Sequence, residues 1–155
     1  MIEARGLAKQ FGTRTALHSI SFQVAEGEIY GLLGRNGAGK TTTVRILACL
    51  LRPSAGTARV AGYDISTEAA QVRARVGILT EVPGLYERLN AWEYLDFFGE
   101  MYRLPGPVRR ARAEELLRLL GLWEVRRQRL RAFSKGMKQK VAIARALLHQ
   151  PRVLF

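Results

Sequence analysis

The sequence has little cysteine, no long apolar run and few acidic side chains. Cys49 is the single cysteine, so the chain cannot form an internal disulfide. No apolar run approaches the ~20 residues that a transmembrane helix needs. The first ten residues lack the apolar centre and the cleavage site of a secretory signal. Without repeats or low-complexity segments, collagen-like and disordered chains are also excluded. These absences favour a cytoplasmic globular protein.

The composition that is present supports a folded domain. The chain has 155 residues, of which 48% are hydrophobic and 25% are charged, a balance typical of soluble globular proteins. A domain of this length buries roughly 70% of the surface of its unfolded chain. We therefore expect a hydrophobic core that needs no covalent support.

The shortage of acidic residues lies mainly in the last third of the chain. The 25 lysines and arginines outnumber 13 aspartates and glutamates, for a net charge of +12. Residues 1–102 carry 11 basic and 10 acidic side chains, whereas residues 103–155 carry 14 and 3. Stacking aromatics other than Trp123 are not interleaved with these arginines, so we expect a solvated helical face and no nucleic-acid site. Phosphates, a partner subunit or anionic lipid headgroups would suit such a surface.

Apolar periodicity predicts a strand, a glycine-rich loop and a helix in that order. Residues 29–33 form a near-continuous apolar run, as expected for a strand buried on both faces. Glycines interrupt the run over residues 34–39, and residues 41–51 then carry apolar side chains at helical spacing. Further strands are predicted at 20–24, 57–61 and 76–79.

From about residue 83 the pattern predicts helices. Asn90 and Glu93 have the spacing of a capping box that opens a helix. Pro107 suits the first turn of a second helix, for which Gly121 is the stop. Ser134 precedes a third helix, which ends before Pro151. Together the patterns indicate a mixed α/β part followed by a helical insertion.

Residues 34–41 match the phosphate-binding pattern G-x-x-x-x-G-K-[ST] at every fixed position. Glycines let successive backbone N–H groups surround a phosphate, and the helix that follows directs its positive end at the same anion. Lys40 is placed to reach the β- and γ-phosphates, and the Thr41 hydroxyl to hold Mg²⁺. Because the predicted strand and helix flank the motif, we expect a nucleotide site and not a chance match.

The order of the motifs resembles the ATP-binding subunit of an ABC transporter over essentially the whole chain. Residues 34–42 are close to that family's G-x-N-G-A-G-K-[ST]-T, and residues 133–139, Phe-Ser-Lys-Gly-Met-Lys-Gln, resemble its signature motif LSGGQ. That signature form, with residues 83–89 upstream, is similar to bacterial subunits of the drug and sodium exporter type. The resemblance implies an α/β P-loop NTPase fold with an antiparallel β lobe and an inserted α-helical subdomain.

The resemblance also implies which residues bind Mg-ATP. Phe11 lies where the family has an aromatic ring stacked on adenine, although a phenylalanine on its own is more often a core residue. The implied ATP-binding residues are Phe11, Gly34, Asn36, Gly37, Ala38, Gly39, Lys40, Thr41 and Thr42, with Thr41 also on Mg²⁺.

The signature residues are implied to act on a second subunit. The signature residues are Ser134, Lys135, Gly136 and Met137. Ser134 and the Gly136 backbone would bind the γ-phosphate of ATP held by the other member of a head-to-tail dimer, at a helix start with unpaired N–H groups. Simple capping of the helix by Ser134 is the alternative. The family also has a glutamine after the strand predicted at 76–79, where Glu81 is the best match in this chain.

The family's second nucleotide motif is a strand ending in Asp, which orients Mg²⁺, and Glu, which polarises water. Residues 152–155 have the pattern of the beginning of that strand, and the sequence stops there. A truncated product and a piece of a longer protein both remain open. If the chain ends here, we expect weak hydrolysis or none, because loss of the carboxylate costs on the order of 10² or more in rate.

We therefore expect one ABC domain, incomplete at its C-terminus. Its parts are the β lobe and first part of the ATPase core (1–82), the helical subdomain (83–131), and the signature helix with the start of the next strand (132–155). The implied function is an ATPase subunit at the cytoplasmic face of the membrane, paired with a second ATP-binding subunit and a separate permease. A soluble ABC protein on ribosomes or nucleic acid, and a non-catalytic nucleotide-binding fragment, are the alternatives.

Overall fold

The computed structural model describes all 155 residues, which divide into two compact units. The first unit contains residues 1–76 together with Phe155, and the second contains residues 77–154. No helix in either unit combines the length and the apolar character required to cross a bilayer.

The first unit is built on a four-stranded antiparallel sheet in the order β2-β1-β3-β4. The strands are β1 (Ile2–Phe11), β2 (Arg14–Val24), β3 (Ala55–Val60) and β4 (Tyr63–Asp64). Alternate residues of a strand point to the same face of the sheet. The side chains of β1 and β3 that face inward are buried. Two helices, α1 (Lys40–Leu47) and α2 (Ala69–Arg73), complete the unit.

Strand β1 is a long element that the alternation of residues did not predict. Its pairing with β2 shifts register after Ala4, after Leu7 and after Lys9, so polar and apolar residues do not alternate regularly. Gly56 of β3 lies so close to β1 that an added Cβ would stand 2.1 Å from the Gly6 carbonyl oxygen. The close approach explains why a glycine occupies this position.

The second unit has an all-helical core. Its helices are α3 (Ala91–Met101), α4 (Gly106–Leu119) and α5 (Lys135–Leu147), with a single 3-10 turn at Leu130–Ala132. One hydrophobic cluster joins the buried faces of the three helices. Two short strands, β5 (Val76–Gly77) and β6 (Val153–Leu154), form a separate two-stranded sheet.

Most of the predicted helix boundaries are confirmed. The Asn90 side chain accepts from the Glu93 backbone N–H and the Glu93 carboxylate accepts from the Asn90 N–H, which completes the capping box. Pro107 lies in the first turn of α4, and Gly121 adopts a φ of 68° just after the helix ends. The helix predicted over 41–51 is shorter, because the chain leaves it at Ala48 and Cys49 takes a φ of 55°.

The strand predicted at residues 29–33 is wrong. Residues 28–34 form no regular element, and Ile29 and Leu33 are 99% and 93% exposed. A doubly buried strand needs hydrogen-bonded neighbours along its edges, and none of the six strands pairs with this segment. Tyr30 alone finds a partner, the Phe22 ring of β2, with 5.3 Å between the ring centroids.

Three other predicted elements are shifted. The strand expected at 57–61 covers Ala55–Val60, and the strand expected at 76–79 is limited to Val76–Gly77. The strand expected at 20–24 begins earlier and covers Arg14–Val24. A turn at Ala61 and Gly62, whose φ angles are 52° and 89°, follows β3. Tyr63–Asp64 then forms β4.

A tryptophan pair marks one side of the second unit. Trp92 and Trp123 meet edge to face, with 5.7 Å between their ring centroids. The guanidinium groups of Arg118 and Arg126 lie 4.4 Å and 3.9 Å from the Trp123 ring centroid. Part of the basic surface is therefore occupied by cation–π contacts within the protein.

Candidate functional site

The glycine-rich segment forms an open loop that leads directly into α1. Gly37 and Gly39 adopt φ angles of 84° and 86°, which residues with a Cβ rarely take. Gly39 is the N-cap of α1, and no side chain caps the helix there. An added Cβ on Gly39 would stand 2.7 Å from the Ala16 carbonyl oxygen of β2. The backbone N–H groups at this helix start are thus left for a ligand.

The Lys40 side chain folds back across the loop. Its Nζ donates hydrogen bonds to the carbonyl oxygens of Gly34 at 2.5 Å and Arg35 at 2.9 Å. The ammonium group is therefore held at the loop by two neutral acceptors and no carboxylate. With Arg35 beside it and no acidic residue in the first turn of α1, the local charge favours an anion.

The three threonines after Lys40 have different environments. Thr43 is buried, and its hydroxyl donates to the Gly39 carbonyl oxygen at 3.0 Å, so it stabilises the first turn. Thr41 is exposed and Thr42 is half-buried, and neither side chain makes a hydrogen bond within the protein. The Thr41 hydroxyl is thus available to a metal–phosphate ligand.

Phe11 is placed at the end of β1, beside the turn to β2. Its ring is 49% exposed, and Lys9 Nζ lies 5.0 Å from its centroid. The core position that is usual for a phenylalanine is therefore excluded. Because β2 returns from this turn to contact Gly39 through Ala16, the sheet connects Phe11 to the phosphate loop within the first unit.

The signature residues lie at the start of α5 in the second unit. Ser134 is the N-cap, and its Oγ accepts a hydrogen bond from the Met137 N–H at 3.2 Å. Phe133 is buried directly before it, whereas Lys135 and Gly136 are exposed. Ser134 therefore caps the helix in this chain, and its neighbours remain accessible at the helix start.

Glu81 lies in the segment between β5 and α3, which we call the Glu81 loop and define as residues 78–89. It is exposed, and its neighbour Thr80 donates to the Val82 carbonyl oxygen at 2.7 Å. The structure thus groups the predicted site residues in two sets. Phe11 and the phosphate loop lie in the first unit, and Glu81 and the signature residues lie in the second.

Arg145 in α5 is a residue that the sequence patterns did not single out. Its Nη1 donates to the Tyr94 hydroxyl at 2.7 Å and to the Pro83 carbonyl oxygen at 3.2 Å. Burial raises the pKa of Tyr94, and the nearby Arg145 charge partly opposes that shift. In the sequence, Arg145 stands among the small residues that form the buried stripe of α5. The sequence indicates no salt-bridge partner for this arginine.

Comparison with known protein families matches residues 17–155 to the family described as ABC transporter. The chain belongs to this family.

The curated ABC relatives are drug-resistance and transport ATP-binding proteins of bacteria. The chain is 42% identical over 154 residues to the daunorubicin resistance ATP-binding protein DrrA3 of Streptomyces coeruleorubidus, covering 99% of this chain and 49% of that protein. It is 44% identical over 140 residues to the ABC transporter ATP-binding protein NatA of Bacillus subtilis, covering 90% and 57%. The chain thus spans about half the length of the curated relatives it matches.

Solved ABC structures share the fold. An ATP-binding subunit of an ABC transporter superposes with a TM-score of 0.87 at 33% identity, covering 99% of this chain and 64% of that one. A dimeric ATP-binding cassette, MJ0796, in a post-hydrolysis state with ADP and Pi gives a TM-score of 0.84 at 28% identity, with 99% and 72% covered. The predicted fold class, an α/β ABC-type ATPase with an antiparallel β lobe and a helical part, is confirmed.

Proposed function

We propose that this chain is the ATP-binding, energy-coupling part of an ABC exporter. One observation carries the proposal: a glycine loop with Lys40 folded across it opens into the uncapped start of α1. That geometry provides backbone donors and one ammonium group to a chain of phosphates.

The residues present fit a nucleotide. Gly37 and Gly39 hold left-handed backbone conformations that a Cβ would strain, and these conformations shape the loop whose N–H groups would face the phosphates. On binding, Lys40 would exchange its two carbonyl acceptors for phosphate oxygens, and Phe11 would stack on the base. Bound Mg²⁺ would neutralise phosphate charge. Thr41, whose exposed hydroxyl makes no hydrogen bond within the protein, and the phosphates would hold the ion.

The signature residues complete the proposal as a dimer. Ser134 and the N–H groups that follow it would contact the γ-phosphate of ATP bound to a second copy or a related subunit. The solved MJ0796 cassette, which is dimeric with ADP and Pi, supports this arrangement. Hydrolysis of ATP by the assembled dimer, with Glu81 near the γ-phosphate, belongs to the same proposal.

The names of the relatives support the proposed partner and location. Relatives named for daunorubicin resistance and bacitracin transport support an export role. The transported compound would be selected by a separate membrane permease, and this chain would act at the cytoplasmic face of the membrane. No nucleic acid is part of the proposal.

The test compares two variants that each remove one positive charge from α1. Lys40→Ala should weaken binding of a fluorescent ATP analogue with Mg²⁺ at least about 10²-fold, because an ionic contact to the phosphates is lost at the binding loop. Arg45→Ala removes an exposed charge from the last turn of the same helix and should leave the affinity within about 2-fold. Equal affinities of the two variants would refute the proposed site.

A further inference from the structure

Helix α5 holds the Glu81 loop at two points. Lys138 Nζ pairs with the Glu87 carboxylate at 2.6 Å, and Arg145 Nη1 donates to the Pro83 carbonyl oxygen at 3.2 Å. Lys138 and Arg145 are seven residues apart, so they project from the same face of the helix. Glu81 lies two residues before the Pro83 contact.

Arg145 has an unusual set of partners for a half-buried arginine. It has no carboxylate partner, and its hydrogen bonds go to a neutral carbonyl and a neutral phenol. Its guanidinium also lies 5.4 Å from the Phe98 ring centroid, and Phe98 packs on the ring of Tyr94. Placing a charge here costs desolvation that a hydrophobic side chain would avoid. The placement is therefore a poor device for stability alone.

The loop has further anchors on its C-terminal side. The N–H groups of Leu130 and Arg131 donate to the carbonyl oxygens of Leu89 and Glu87. The ring of Tyr86 meets those of Tyr94 and Phe98 at centroid distances of 6.0 Å. In contrast, the N-terminal side of the Glu81 loop has a single hydrogen bond to α5, which is the one that Arg145 donates to Pro83. The bond from Thr80 to Val82 stays within the loop.

We propose that Arg145, assisted by Lys138, is a positioning residue that makes the Glu81 loop follow α5 when nucleotide engages the start of that helix. The inference rests on the proposed function, since Ser134 is the residue that would meet the phosphate. Ser134 and Arg145 are separated by about 16 Å along a continuous helix. A rigid helix of that length transmits a displacement at one end to the loop at the other.

The test is hydrogen exchange of the full chain with and without the magnesium complex of a non-hydrolysable ATP analogue. In the wild type, nucleotide should change exchange at residues 80–89. In Arg145→Lys, which keeps the charge but replaces the rigid planar guanidinium with a flexible ammonium that does not hold both acceptors in a fixed geometry, that change should fall at least about 5-fold. Tyr94→Phe is the matched control: it removes the other acceptor of Arg145, leaves the Pro83 contact in place, and should keep the response.

The same hydrogen-exchange data distinguish failure of the proposed ATP site from failure of the role assigned to Arg145. Protection of residues 34–43 by nucleotide reports the proposed ATP site, and its absence in the wild type would refute that site and this inference together. If residues 34–43 are protected and the Glu81 loop responds equally in Arg145→Lys, or does not respond in the wild type, Arg145 has no positioning role.

A folding defect in Arg145→Lys would appear as faster exchange at Leu116 and Leu117 in the buried core. A second variant tests the other contact between α5 and the loop. Lys138→Met removes the exposed ion pair and leaves that core untouched. It should reduce the nucleotide response of the loop about 2-fold, and an unchanged response would contradict the assistance assigned to Lys138.

Discussion

Helices α1 and α3 begin in opposite ways. Asn90 and Glu93 satisfy the first backbone donors of α3 with their own side chains. Gly39 opens α1 with a left-handed backbone and no side-chain cap. The first start is closed and serves stability, whereas the second leaves its donors to a ligand. Helix α5 is intermediate, because Ser134 caps it beside exposed residues.

Gly39→Ala should have the largest effect, because it strains the loop that leads into the uncapped start of α1 and forces it away from β2. An alanine at a φ of 86° costs roughly 1–2 kcal/mol, and the Cβ would overlap the Ala16 carbonyl. We expect the free energy of unfolding to fall by roughly 2–4 kcal/mol in urea titrations followed by circular dichroism, with nucleotide binding lost.

Gly27→Ala provides the matched control for strain alone. Gly27 also has a positive φ, 76°, but no atom lies within 4 Å of an added Cβ. This variant should lose roughly 1–2 kcal/mol and bind nucleotide normally. Equal nucleotide affinities in the two alanine variants would show that the loop conformation at Gly39 is not needed for the ligand.

Removing the side-chain cap of α3 should have a smaller effect, and only on the free energy of unfolding. Asn90→Ala removes the acceptor for the Glu93 N–H and should cost about 1 kcal/mol of unfolding free energy. Asn90→Ser retains a capping oxygen and should recover most of that loss. Both should bind the fluorescent nucleotide with wild-type affinity, and a weakened affinity would contradict a purely structural role for this cap.

Ser134→Ala should have the smallest effect on stability, roughly 0.5–1 kcal/mol, because a single hydrogen bond of 3.2 Å is lost. Its effect should appear instead in nucleotide-dependent association, measured by sedimentation at several chain concentrations. Ser66→Ala, whose hydroxyl makes no hydrogen bond, is the control. Unchanged association in Ser134→Ala would leave helix capping as its only role.

Sequence reasoning succeeded where the partners are close along the chain. The capping box, the Gly121 stop and the Ser134 cap each join residues within four positions, so the local pattern contains the whole interaction. The phosphate loop is of the same kind, since Gly34 to Thr41 define it without help from other segments. The individual roles of the site residues and the two boundaries between the three predicted parts of the domain stay predictions.

Sequence reasoning failed where distant segments decide the outcome. Residues 29–33 have the composition of a strand, yet pairing depends on neighbours elsewhere, and Ile29 is left almost fully exposed. Strand β1 was missed because its bulges disturb the alternation. The contact of Arg145 with Pro83 spans 62 residues, so nothing near Arg145 in the sequence indicates it.

The tryptophan pair has a practical consequence for spectroscopy. The chain has two tryptophans, Trp92 and Trp123, and both lie in the second unit, in mutual contact. Intrinsic emission excited at the red edge therefore originates from the helical unit alone, and the phosphate-loop unit contains only Tyr30 and Tyr63 as emitting side chains. A change in tryptophan emission on adding nucleotide would therefore report on the helical unit, where the signature residues lie.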